Sequence, residues 1–235
     1  MPVYLDHNAT APVRFEAVQA MTDALQAVGN ASSVHRYGRD ARRRVEDARE
    51  AVAALIGCQP GDLLFTSGGT EANNTALRGH GRGRTLVSAG EHEAVLQARA
   101  DAEPVALTPD GTVDLDALDA ALAADARPAL VSVMLANNET GAINPIERVV
   151  EIARRHGARV HCDAVQAPGK IPVDARDLGV DLLTVSAHKL GGPQGVGALA
   201  VLDGQPLAPL LAGGGQERKQ RAGTENVPAI AGFGA

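Results

Sequence analysis

Short, almost wholly apolar runs recur along this chain, and stretches of helical periodicity separate most of them. The runs are Leu63–Thr66, Thr85–Ser88, Pro104–Leu107, Ala129–Leu135, Arg159–Cys162, Leu182–Ser186 and Gly197–Leu202. A strand with one wet face alternates apolar and polar residues; a run without alternation belongs to a strand covered on both faces. Helical patterns fall at Glu71–Gly79, Glu93–Ala102, Asp114–Ala123 and Pro145–Arg155, and two more, Arg14–Ala27 and Arg39–Ile56, precede the first strand. This alternation predicts an α/β fold, with a mostly parallel seven-stranded sheet flanked by helices and joined by right-handed crossovers.

Composition narrows the setting. The 235 residues suffice for one large domain, and aromatic residues are only 2% with no tryptophan, so Ala, Val and Leu must fill the core. A formal net charge of -6 argues against a nucleic-acid binder, because a phosphate backbone selects a basic surface. No apolar run approaches the roughly 18–20 residues of a membrane span, and the N-terminus lacks the pattern of a signal peptide. Two cysteines, Cys58 and Cys162, make no disulfide framework and suggest a reducing compartment. The expectation is a soluble, cytoplasmic protein. The glycine-rich segment Gly213–Gly223 is expected to be mobile. After Pro228 a new apolar stretch, Ala229–Phe233, begins just before the last residue, so the chain reads as cut short. The expected division is an N-terminal segment 1–12, a large domain 13–228, and the start of a truncated small domain at 229–235.

In open α/β sheets, ligands bind beyond the carboxyl ends of the strands. Four strand ends here carry polar residues: Ser67-Gly68-Gly69-Thr70-Glu71, Asn137-Asn138-Glu139-Thr140-Gly141, Asp163-Ala164-Val165-Gln166 and Ser186-Ala187-His188-Lys189. Ser67–Glu71 has the chemistry of an anion site, with glycines that admit a phosphate and free N–H groups at a helix start; it equally fits a plain helix cap. Asp163 is a carboxylate in a buried place, suited to a protonated heteroaromatic nitrogen such as that of pyridoxal phosphate (PLP), or to capping a helix. Gln166, three residues on, could reach the same ligand. Only three lysines occur, at 170, 189 and 219. Lys189 follows a buried strand and a histidine, where a lowered pKa makes an amine nucleophilic and able to form a Schiff base; Lys170 and Lys219 read as solvated. His92 could stack on a flat ring, move protons, or cap a helix. Arg42–Arg44 reads as a self-paired helix face, His161-Cys162-Asp163 lacks the second cluster a metal site needs, and Cys58 reads as a packed thiol.

With these residues in place, the chain resembles the cysteine desulfurases of the class V aminotransferase family, the NifS/IscS-like proteins. The resemblance runs nearly end to end, through Tyr4–Pro12 (YLDHNATAP), Phe65–Asn74 (FTSGGTEANN), Glu91–Val95 (EHEAV), Asn137–Gly141 (NNETG), His161–Gln166 (HCDAVQ), Ser186–Gly197 (SAHKLGGPQGVG) and Gly213–Asn226 (GGGQERKQRAGTEN). It implies a fold-type I PLP-dependent transferase large domain. It implies that Lys189 bonds the cofactor, Asp163 partners the pyridine nitrogen, Gln166 donates to the ring hydroxyl, and His92 stacks on the ring and assists acid–base steps. Thr70, Ser186 and His188, with Gly69 beside them, resemble phosphate ligands. Asn138 resembles the residue near cofactor and substrate carboxylate. Thr224 is similar to a threonine that reaches the phosphate from the other subunit, which implies a homodimer.

The activity implied is transfer of sulfur from L-cysteine to an enzyme persulfide, leaving L-alanine, for iron–sulfur clusters or thiolation, with a sulfur-acceptor or scaffold partner. Family members carry the persulfide cysteine and a substrate-gripping arginine in a smaller C-terminal domain, and neither Cys58 nor Cys162 matches that cysteine. Gln194 and Leu190-Gly191 also depart from the family pattern. Two other readings stay open: another class V enzyme, such as a selenocysteine lyase or an aminotransferase, and an inactive PLP-binding remnant.

Overall fold

The computed structural model describes residues 2–235. Two helices come first, α1 (Phe15–Leu25) and α2 (Arg36–Leu55). Then β1 (Leu63–Thr66), α3 (Gly69–Gly79), β2 (Arg84–Ser88), α4 (Glu93–Leu96), β3 (Glu103–Val105), α5 (Leu115–Ala123) and β4 (Ala129–Ser132) follow in order. The chain continues through α6 (Ile146–Arg155), β5 (Arg159–Asp163), α7 (Ala175–Leu178), β6 (Leu182–Ser186), β7 (Gly197–Val201) and α8 (Val227–Gly234).

The strands form one seven-stranded sheet in the order β1-β7-β6-β5-β4-β2-β3. Four of its six pairings are parallel; β7 alone runs against both neighbours, β1 and β6. The mostly parallel, seven-stranded α/β sheet is therefore the one the apolar runs predict. Side chains alternate across it. Leu63, Phe65, Leu183, Ala198 and Ala200 face a core shared with α2, α5, α6 and α8. Leu64, Leu130, Leu182, Leu199 and Val201 face a second core, shared with α3 and α4. Leu63, Leu64, Leu86, Leu130, Leu183 and Leu199 are completely buried, each contributing about 1.5–3 kcal/mol of apolar transfer.

Local signals start the helices. His35 Nδ1 accepts the Gly38 N–H at the head of α2, and the Asp114 carboxylate accepts two N–H groups, from Asp116 and Ala117, at the head of α5. Three elements differ from expectation. The helix expected over Glu93–Ala102 stops at Leu96, because α3 diverts carbonyls it would need: Asn74 Nδ2 donates to Ala94 O and Arg78 Nε to Ala98 O. The run Ala129–Leu135 leaves the regular strand at Ser132, although Val133 and Leu135 still donate to His161 and Asp163. The apolar stretch after Pro228 belongs to α8, whose Ile230 and Phe233 are buried in the main core against Phe65.

The Gly213–Gly223 loop is anchored rather than free. Glu217 is buried and binds Arg49 through two bonds of 2.7 and 2.8 Å. Among the described residues no helix is long and apolar enough to cross a membrane.

Candidate active site

The carboxyl ends of β1, β2, β4, β5 and β6 lie on one edge of the sheet, and they deliver side chains around a cleft of about 410 Å³. Gly69, Thr70, His92, Asn138, Asp163, Gln166, Ser186, His188 and Lys189 all line it. Thr224 does not; it is exposed beside a separate hollow with Ser67 and Arg221.

Asp163 ends β5 and is 5% exposed. Val165 N–H donates to its Oδ1 at 2.9 Å and Asn73 Nδ2 to its Oδ2 at 2.7 Å. Burial raises its pKa against those two bonds and the charges of His92 and Lys189. No salt bridge joins it to a cation among the described residues, so a buried carboxylate faces the cleft held by two hydrogen bonds and without a direct ion-pair partner. Asn73 Oδ1, on the cleft wall, is also buried without a partner.

Lys189 closes a short 3₁₀ turn, Ala187–Lys189, after β6. Its Nζ donates to the Asn8 carbonyl. Burial lowers its pKa, with Asp163 and Asp6 opposing. Gln166 Nε2 donates to that same carbonyl at 2.9 Å. Two N–H donors thus converge on one oxygen inside the cleft.

The turn after β1 forms the opposite end. Gly68 has φ +153° and ψ 179°, and a Cβ on Gly197 of β7 would come within 2.7 Å of the Gly68 backbone, so both positions need glycine. The Ser67 N–H, part of the expected anion cradle, is already given to Glu71 Oε2 at 2.8 Å. Glu71 pairs with Arg221 at 2.7 Å, which neutralises the carboxylate nearest the α3 N-terminus. The N–H groups of Gly69 and Thr70 remain at the helix start, with Ser186 and His188 beside them on the cleft. Burial, and then the Lys189 charge, lowers the His188 pKa. His92 caps α4: its Nδ1 accepts the Ala94 N–H at 3.0 Å, which places the neutral ring's proton on Nε2. The Asn138 amide donates to Glu139 Oε1 at 2.6 Å.

Sequence reasoning missed several members of this site. Asp6, Asn8 and Ala9 come from the N-terminal segment, which folds back so that Ala11 N–H and Arg14 N–H donate to His188 O and Gly191 O, both at 2.8 Å. Lys170, read as solvated, is exposed, but its ammonium bonds Gln166 and Asn8, which line the cleft. Asn73 carried a usable signal: it lies three and four residues after Thr70 and Gly69, on the same helix face.

Other candidates lie elsewhere. His161 is fully buried between Ser132 Oγ at 2.8 Å and Thr184 Oγ1 at 3.0 Å, and burial drives its pKa to about 3. Burial pushes the Cys58 thiol up to about 12 and the Cys162 thiol well above its usual value. No group of three metal-ligating side chains exists among the described residues. A buried carboxylate without an ion-pair partner, a lysine amine whose pKa burial lowers, donors aimed at one oxygen and an open helix N-terminus together suit PLP, a flat cationic ring carrying an aldehyde, a hydroxyl and a phosphate.

Comparison with known proteins gives the same picture. Residues 3–235 match the family described as aminotransferase class-V. The chain is 44% identical over 246 residues to a cysteine desulfurase IscS of Dictyoglomus turgidum, covering 99% of this chain and 62% of that protein. It superposes on a NifS-like protein from Rickettsia africae with a TM-score of 0.93 at 35% identity, covering 100% of this chain and 67% of the other. It superposes on SspA, solved in complex with cysteine, with a TM-score of 0.91 at 32% identity, covering 99% and 71%. The chain thus spans less than two thirds of the length of the curated relative.

Proposed function

We propose, from the premise that this chain belongs to the aminotransferase class-V family, that its cleft holds PLP and that the protein is a cysteine desulfurase. In this reading it takes sulfur from L-cysteine and leaves L-alanine, as a cytoplasmic homodimer serving iron–sulfur cluster assembly or thiolation. The observation that carries the reading is that Asp163 and Lys189 both face one cleft. The names of the relatives support the reaction, and the cysteine bound to one structural neighbour supports the substrate.

PLP supplies an electron-withdrawing ring that loosens bonds around a substrate's amine-bearing carbon. The chain's own residues do the rest. Lys189, its pKa lowered by burial, is the amine that would hold the aldehyde, and once free it can move a proton at Nζ. Asp163 would partner the ring nitrogen and favour its protonated form, and Gln166 Nε2 would donate to the ring oxygen. His92 would stack on the ring, with Nε2 free to move a proton. Gly69 and Thr70, with Ser186 and His188, would hold the phosphate, while Asn138 would orient the substrate carboxylate. Thr224 would reach the phosphate of the partner's site. The thiols of Cys58 and Cys162 are buried with raised pKa values, so the group that receives sulfur is neither of them.

The test is reconstitution with PLP followed by absorbance. The expected outcome is a cofactor band shifted from that of free PLP, lost in Lys189→Ala and altered in Asp163→Asn. A folded wild-type protein that leaves the spectrum of free PLP unchanged overturns the reading. Release of alanine and sulfide from L-cysteine, measured with an added thiol acceptor, tests the reaction itself.

A further inference from the structure

Lys170 is exposed, and its ammonium reaches two residues that line the cleft, Gln166 and Asn8. Its Nζ donates to Gln166 Oε1 at 2.5 Å and to Asn8 Oδ1 at 3.1 Å. The far end of the Gln166 amide, Nε2, donates to the Asn8 carbonyl at 2.9 Å, the oxygen that also receives Lys189 Nζ. The two ends of a primary amide are alike in shape and opposite in chemistry: one accepts, one donates. An ammonium only donates. At 2.5 Å from Lys170, the near end of Gln166 must therefore be the oxygen, since an NH₂ there would set donors against donors.

We propose that Lys170 is a positioning residue, which fixes the Gln166 amide so that Nε2, and not Oε1, faces the oxygen shared with Lys189. The inference rests on the cofactor reading above. The ring oxygen of PLP carries negative charge, so a fixed N–H toward it attracts, whereas a flipped amide would present Oε1 and repel. The same ammonium sets the Asn8 side chain: with Oδ1 turned to Lys170, Nδ2 donates to Asn138 O at 3.0 Å. One cation thereby orients two amides and ties the N-terminal segment to the residue proposed to hold the substrate carboxylate. Partial burial, and then the charge of Lys189, lowers the Lys170 pKa.

The experiment titrates PLP into wild type, Lys170→Met, Lys170→Arg, Gln166→Ala and the double variant Gln166→Ala/Lys170→Met. It follows cofactor absorbance for affinity, then titrates the absorbance of the saturated proteins with pH, with circular dichroism and melting temperature as controls of folding. Lys170→Met is expected to weaken PLP binding about tenfold, the loss of one charge-assisted hydrogen bond, and to move the pH midpoint. Lys170→Arg, also a pure donor, is expected to stay within about twofold of wild type. In the Gln166→Ala background, Lys170→Met is expected to cost much less than in the wild-type background, because the Gln166 amide is gone and only the Asn8 contact remains. Wild-type affinity and pH midpoint in Lys170→Met overturn the inference alone. So does an equal loss in both backgrounds, which marks a charge or folding effect. A wild type that forms no PLP adduct overturns the cofactor reading and this inference with it.

Discussion

Asp163 and Glu91 are two buried carboxyls near one another, and their partners separate their roles. Asp163 accepts two hydrogen bonds and opens on the cleft. Glu91 accepts one, from Met134 N–H at 2.6 Å, and its Oε2 is buried without a partner. Complete burial pushes the Glu91 pKa well above its usual 4.5, and the Asp163 charge adds to the rise against the Met134 bond. The folded state therefore holds this proton more tightly than the unfolded chain. Its contribution to stability is full below pH 4.5 and fades as pH rises through the raised folded value. Glu91→Gln keeps the Met134 bond and removes the titration. Thermal melts of the cofactor-free proteins across pH are expected to show the variant gaining on wild type as pH rises above 4.5; parallel curves would contradict this.

At the scale of elements, β1 is an edge strand, and unpaired edges invite pairing with other chains. Side chains close this edge. Phe65 N–H donates to Glu217 Oε2 at 2.9 Å, while Leu63 O accepts from Arg49 at 2.9 Å and from Arg218 at 2.6 Å. Glu217 reaches this position from a loop in which residues 217–219 all have positive φ, a strained path held by the buried ion pair. The loop continues to Arg221, whose bond to Glu71 steadies the turn at the α3 N-terminus. Glu217→Ala leaves Arg49, 2% exposed, without its buried partner, and is expected to cost about 3–5 kcal/mol in urea unfolding. PLP affinity should fall as well, since the loop and the turn are joined. A loss within about 0.5 kcal/mol, the size of an ordinary surface change, would show the pair to be unimportant.

At the scale of the whole molecule, nine of the ten proposed site residues meet in one cleft and Thr224 stays outside it. If Thr224 serves the partner's site, two defective chains can build one sound site between them. Lys189→Ala supplies a good Thr224, and Thr224→Val supplies a good Lys189. Mixed dimers of the two are expected to regain wild-type PLP affinity at half their sites. Parent-like behaviour after confirmed subunit exchange would place Thr224 outside the cofactor's reach.

What the sequence determined by itself is what rests on neighbours along the chain. Continuous apolar runs placed β1 at Leu63–Thr66 and β6 at Leu182–Ser186 to the residue, and the polar residues after each strand marked the edge where the cleft lies. Tertiary structure decided the rest, because its causes lie far apart in sequence. The early end of α4 depends on side chains of α3, about twenty residues away. The bonds that bring Asn8 to Lys189 and Lys170 span 181 and 162 residues, and Glu217 meets Phe65 across 152. Periodicity and residue type register the bonds a backbone makes with itself; they carry no record of which distant side chain will take a given carbonyl, and that choice built the site's outer half.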